Sequence, residues 1–337
     1  MGALPAGSRI LHIGPHKTGT TSVQSAFHLA RAAAAAQGVH YAGSERHSVV
    51  AVQAAIEPGR ARPAALRRWG RLVGEIERST AERVVLSSEW FADAGPEAIR
   101  RIVADVGSER VRVVVTVRSL ERVLPSQWQQ YVAAGLEAGY EPWLRSIFQG
   151  DGTSTSPTFW HRHRHDRLIE RWASVVGAEN VTAIVVDDAD HGAVLRAFEG
   201  LTGLRTGTLV AERDRANRSL TLPEAEVVRA FNVELNREIE AHNVRLNLGL
   251  YGATAALRAR TPDAAEPRIE TPAWALERAA EVAREIVAGI RAAGVEVVGD
   301  LESLAFDPPA RAEAASDAAD TDALAVVPDS TWLEIAS

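Results

Sequence analysis

Apolar residues gather into short, nearly continuous runs at 9–13, 83–86, 111–117 and 181–186. Each is too short for a helix and rich in Val and Ile. None alternates with polar residues, so the runs predict strands buried on both faces of a parallel sheet. Between them apolar positions recur at helical spacing. Leu66, Trp69, Leu72, Val73 and Ile76 make one such face, and Leu168, Ile169, Trp172, Val175 and Val176 make another that stops at Gly177. Pro96 suits the first turn of a further helix. The first helix is expected to begin near Thr21, where Thr21-Ser-Val-Gln24 has capping-box spacing, and to stop by Gly38. Strands alternating with helices predict a layered α/β fold with right-handed crossovers. The last third reads as helical. Thr221-Leu-Pro-Glu224 starts a long helix through Val227, Val228, Phe231, Leu235 and Ile239. Thr271-Pro272 caps another that runs to Gly294, and a short strand at 295–298 follows. From 308 to 322 the chain turns rich in Ala, Asp, Glu and Pro, the composition of a linker, before an apolar ending at Thr331-Trp-Leu-Glu-Ile335 that could dock back. One α/β domain over 1–307 and a tail over 308–337 is the organisation expected.

Composition narrows the functions. The chain has 337 residues, 46% of them apolar, enough for a sizeable core. A net charge of −7 argues against a broad basic surface for nucleic acid. With no cysteine, disulfides, thiolate metal sites and cysteine nucleophiles are excluded. No apolar run approaches a membrane span and no signal-like segment precedes the first strand, so a cytoplasmic protein is expected. Abundant Ala and Arg with scarce Lys suit a GC-rich bacterial gene.

Of 37 basic residues besides histidine, a single one is lysine. It is Lys17, in the turn Gly14-Pro15-His16-Lys17-Thr18-Gly19-Thr20-Thr21-Ser22 between the first strand and the first helix. Backbone N–H groups at a helix N-terminus, the helix dipole and a nearby cation together make a phosphate cradle. A compact ammonium acts as a point charge that a guanidinium does not reproduce at a bridging oxygen. The order differs from the nucleoside-triphosphate loop, in which lysine directly follows the last glycine. Here Lys17 comes two residues before Gly19, which suits a single 5′-phosphate chain better than a β,γ pair. A second anion element is expected where the 111–117 strand ends on Arg118, with Ser126 about two turns into a helix that Pro125 should kink.

Together these motifs resemble the sulfotransferases that use 3′-phosphoadenosine 5′-phosphosulfate (PAPS). The Gly-Pro-His-Lys-Thr-Gly-Thr-Thr-Ser turn is similar to that family's 5′-phosphosulfate loop, and Arg118 with Ser126 to its 3′-phosphate element. Arg171-Trp172 followed by Gly177-Ala-Glu-Asn-Val181 also looks like a pattern of bacterial members, so the likeness runs over about residues 8–240. It implies a P-loop-like central parallel sheet flanked by helices on both faces, no required metal, and adenosine 3′,5′-bisphosphate as product. Nucleotide contacts would fall on Pro15, His16, Lys17, Thr18, Gly19, Thr20, Thr21, Arg118 and Ser126. Many members close the nucleotide with a late glycine-containing loop bearing an arginine. The corresponding stretch, 213–220, lacks glycine and offers Arg215 and Arg218.

The acceptor is expected to be a small-molecule or glycan hydroxyl. Sulfuryl transfer, like phosphoryl transfer, needs an in-line attack and neutralisation of the leaving oxygen. Lys17 suits the second task. Glu89, just past the strand 84–88, is the leading general base, with His16 second, and Ser87 or Ser88 could orient a substrate. The run His161-Arg-His-Arg-His165 interleaves arginines that repel a cation, so it reads as a polar lid or solvated loop rather than a metal site. Two rival readings are a P-loop kinase, disfavoured by the position of the lysine, and a nucleotide-binding module without catalysis.

Overall fold

The computed structural model describes residues 2–149, 156–212 and 218–308. Its elements in chain order are β1 (Ser8–Ile13), α1 (Thr20–Leu29), α2 (Arg31–Ala35), β2 (Val39–Tyr41), α3 (Val49–Ile56), α4 (Pro63–Arg78), β3 (Arg83–Ser87), α5 (Pro96–Val106) and β4 (Val111–Val117). Then come α6 (Leu120–Ala133), α7 (Tyr140–Phe148), α8 (Phe159–His163), α9 (His165–Val176), β5 (Val181–Val185) and α10 (Ala193–Thr202). The remainder is α11 (Leu222–Glu238), α12 (His242–Asn247), a π-helical turn (Leu248–Ala253), α13 (Thr254–Ala259), α14 (Ala273–Ala292) and β6 (Glu296–Val298). Two compact units emerge: one of residues 1–120, 158–212 and 281–306, the other of 121–157, 213–280 and 307–337.

The first unit is an α/β layer structure on a six-stranded sheet of order β2-β3-β1-β4-β5-β6. Every strand pair is parallel. Such a sheet hides both faces, which is why β1, β3, β4 and β5 are mostly apolar along their length. Ile10, Val85, Val114 and Ile184 share one face and bury against Val23 and Phe27 of α1 and Val194 and Phe198 of α10. Register explains the grouping: Ile10 stands opposite Val85, and His12 opposite both Ser87 and Val114. On the other face α9 packs on β4 and β5, with α5 against α9. No helix among the described residues is long and apolar enough to cross a membrane.

Five strands, β1, β3, β4, β5 and β6, lie within a residue of the expected ends. Differences arise where packing overrides local signals. The 39–41 strand is only three residues long, too short for a periodicity. On α4, Trp69, Leu72 and Ile76 are buried, but Leu66 is exposed. The first helix ends at Leu29, well before Gly38, and the Thr21–Gln24 capping box does not form: the cap is Gly19 and no side chain caps the helix. The run at 161–165, expected as a polar lid or solvated loop, spans the end of α8 and the start of α9 with Arg164 between them, and His163 and His165 are buried rather than solvated.

The second unit is helical in its described part. Thr221 caps α11, its hydroxyl accepting from Glu224 N while the Glu224 side chain reaches back, the box its sequence predicts. Glu224 is fully buried, and its charge is met by Arg218 at 2.6 Å and Arg260 at 2.8 Å. Those guanidinium groups hold its carboxyl below the usual range against the opposing effect of burial. The linker and tail after 308 lie outside the described residues.

Candidate functional site

In the first unit β3, β1 and β4 are neighbours that end at one edge of the sheet, and each leads into a residue of the expected site. Glu89 follows β3, the turn at 14–19 follows β1, and Arg118 follows β4. With β3 on one side of β1 and β4 on the other, the chain switches direction across the sheet at β1. Open parallel sheets bind ligands outside the strand ends at such a point.

Local bonds shape the turn. Thr18 Oγ1 donates to the Pro15 carbonyl at 2.7 Å and Thr20 Oγ1 to the Gly14 carbonyl at 2.7 Å. At Gly14 a side chain would have no room, since a Cβ would stand 1.8 Å from Thr20 Oγ1. Gly19 has φ 84°, and Lys17 has φ 69°, the one positive φ at a non-glycine among the described residues. For a side-chain-bearing residue that conformation costs about 1–2 kcal/mol. The N–H groups of Thr20 and Thr21, in the first turn of α1, have no intrahelical acceptor, and the dipole there favours an anion.

A buried polar line runs beneath the turn across three strands. Ser87 Oγ lies 2.8 Å from His12 Nδ1, His12 Nε2 3.3 Å from Thr116 Oγ1, and Thr116 Oγ1 2.9 Å from Thr18 Oγ1. The Pro15 carbonyl at its end can only accept, which fixes the directions as far as His12. Thr18 donates to Pro15, Thr116 to Thr18, and His12 Nε2–H to Thr116. Burial pushes His12 down to about 3, so the ring is neutral and its Nδ1 accepts from Ser87.

The Arg118 guanidinium ties two strand ends together. Nη1 donates to the Lys17 carbonyl at 3.0 Å, while Nε and Nη2 pair with the Asp188 carboxylate beyond β5. Glu89 is half-buried, and Glu89 Oε2 accepts from Gln24 Nε2 at 3.3 Å. His16 is buried with its ring edge-on to Trp90, centroids 5.3 Å apart. Burial, then the Arg162 charge, pushes His16 down to about 3, opposed by Asp93. Its Nδ1 has no hydrogen-bond partner among the described residues. Arg162 holds Asp93 through both carboxylate oxygens, at 2.5 and 2.8 Å.

Ser126 lies on α6 within the second unit and is half-buried. Arg218 is engaged inside that unit: beyond Glu224, its Nε donates to the Arg258 and Arg260 carbonyls at 3.1 and 3.3 Å. Arg215 lies outside the described residues. Reasoning from sequence missed His12, Thr116, Gln24, His47 and Asp188. A signal existed for two: His12 and Thr116 are polar residues inside runs buried on both faces, and such residues need a partner. Gln24 has the spacing of a cap, and nothing local marks His47 or Asp188.

No family model and no curated protein matches the chain. Among solved structures it is similar to a sulfotransferase from Alicyclobacillus acidocaldarius, with 14% identity and a TM-score of 0.43 over 72% of this chain and 96% of that one.

Proposed function

We propose that the protein is a sulfotransferase that moves a sulfuryl group from PAPS to a hydroxyl acceptor. The observation that carries this reading is the meeting of Lys17, Glu89 and Arg118 at the ends of three neighbouring strands, around the N-terminus of α1. A 5′-phosphate suits the turn, because the N–H groups of Thr20 and Thr21 in the first turn of α1 have no intrahelical acceptor and the helix dipole there favours an anion. Lys17 neutralises the oxygen that leaves with the 5′-phosphate, an interaction that strengthens as the sulfur–oxygen bond breaks. Glu89 takes the proton of the acceptor hydroxyl as its oxygen attacks sulfur from the opposite side. Arg118 meets the 3′-phosphate, with Asp188 as its partner until then. Trp90, next to Glu89, lines a cavity of about 370 Å³ with Val50, Ala54, Ala61 and Ala65, which gives an acceptor with an apolar body a place near the base.

The test is ligand-dependent stability. Adenosine 3′,5′-bisphosphate, without metal, is expected to raise the melting temperature more than AMP does. At 100 times its dissociation constant it adds about 2.7 kcal/mol. Equal shifts with the two nucleotides would remove the 3′-phosphate assignment, and a response to ATP that requires Mg²⁺ would favour a kinase.

A further inference from the structure

Gln24 is the fifth residue of α1 and is buried, although glutamine carries an amide that needs partners at both ends. Its partners fix which end is which. The Ser87 carbonyl, 3.2 Å from Gln24 Nε2, can only accept, so the amide nitrogen must face β3. The same nitrogen donates to Glu89 Oε2 at 3.3 Å. Gln24 Oε1 therefore points the other way, where His47 Nδ1 lies at 2.5 Å and must be its donor. A flipped amide would set oxygen against two acceptors. The side chain is locked at both ends, and one carboxylate oxygen of Glu89 is held by it.

We propose that Gln24 is the positioning residue of Glu89, holding its carboxylate at the strand end, and that His47 fixes the orientation of the Gln24 amide. The inference rests on the sulfuryl-transfer reading for the task Glu89 performs, not for the clamp itself. No proton passes through the amide. Glu89 gains a fixed direction for its free oxygen, and its charged form gains a donor. His47 is half-buried and faces Glu89, Arg46 and His28. Burial lowers its ionisation most, Arg46 and His28 lower it further, and the Glu89 carboxylate opposes them.

That opposition provides a measurement free of any assay of transfer. In the whole protein, with adenosine 3′,5′-bisphosphate present, the His47 ring is titrated by NMR in four forms: parent, Glu89→Gln, Gln24→Leu and the double variant. Glu89→Gln is expected to displace the His47 midpoint downward in the parent background, and by less than about half as much when Gln24 is Leu, as for any pair whose coupling depends on a third residue. Equal displacement in both backgrounds would overturn the clamp. In turnover on a phenol, Gln24→Leu should lower kcat by about 10–100-fold, the scale of a small misplacement of a catalytic group. The acidic limb of its pH profile should move upward and the nucleotide Kd stay unchanged. A loss seen only in nucleotide affinity would count against the proposal. Should Gln24→Leu fail to fold, His47→Leu and His47→Asn carry the same test. The first removes the donor to Oε1 and should lower kcat, while the second keeps an amide N–H there and should restore it. Equal kcat in those two would exclude the role of His47. If the parent moves no sulfuryl group to any phenol yet the His47 displacement shrinks as expected, the proposed activity fails and the clamp stands.

Discussion

Mild acid should unfold the first unit, and the reason is its set of buried imidazoles. His12, His16 and His165 are each almost wholly buried. Burial is the largest cause in every case, pushing the first two down to about 3 and His165 to about 4. His163 moves the same way. Their nitrogens show why a second proton is unwelcome: His16 Nδ1, His165 Nε2 and both nitrogens of His163 have no acceptor among the described residues. A folded-state value below the unfolded value near 6.5 means that the unfolded chain binds more protons. The stability these groups contribute is therefore complete above pH 6.5 and is lost as pH falls from there toward 3–4. At pH 5, about 1.5 units below the unfolded value, each of the three loses about 2 kcal/mol, and together about 6 kcal/mol. A folded domain holds only about 5–15 kcal/mol in all. Denaturant titrations followed by tryptophan fluorescence at half-unit steps from pH 8 to 4.5 should show stability flat to about pH 6.5 and then falling steeply. The carboxylates act in a lower window, since Asp166 and Glu266 are held below their usual values by arginines. Unchanged stability between pH 7 and 5 would refute the reasoning. So would a slope that His165→Gln leaves intact.

Further outcomes follow from the strand-end geometry. Arg118→Ala should weaken adenosine 3′,5′-bisphosphate by the roughly 1.5–3 kcal/mol of a charge-assisted bond, read by calorimetric titration. Asp188→Asn should strengthen it severalfold, because the guanidinium no longer leaves a carboxylate to meet the phosphate. Lys17→Ala should lower turnover by about 10²–10³. Glu89→Gln should lower it by about 10²–10⁴ with nucleotide affinity preserved, and a parental rate on an unactivated alcohol would show that Glu89 is not the base. Gly14→Ala should destabilise by about 1–3 kcal/mol, since the new methyl meets Thr20 Oγ1 at 1.8 Å; an unchanged melting temperature would show that the turn can yield.

The sheet was legible because strands buried on both faces are mostly apolar, and four of them announce themselves by that alone. The phosphate turn was legible for a different reason: Lys17 and Gly19 mark a place where the backbone turns left-handed before a helix. What escaped was every interaction between residues far apart in sequence. Gln24 satisfies the spacing of a cap, yet its amide crosses to β3, 63 residues away, because two acceptors there outbid a local bond. Arg118 stands as expected at the end of β4, but its carboxylate partner is Asp188, 70 residues on. The His161–His165 run shows the opposite failure. Its polarity suggested water, whereas helix formation turns His163 and His165 into the core.

The left-handed backbone at Lys17 has a consequence for any attempt to make this protein more robust. Asparagine tolerates that conformation far better than lysine and avoids the extra chain entropy of glycine. Lys17→Asn should therefore gain on the order of 0.5–1 kcal/mol in the absence of ligand while losing turnover. A library screened for heat resistance alone would thus drift toward replacing the residue whose ammonium the proposed transfer uses. Heat resistance and turnover are set against each other at a single φ angle, so a selection for hardiness must carry a demand for activity at the same time.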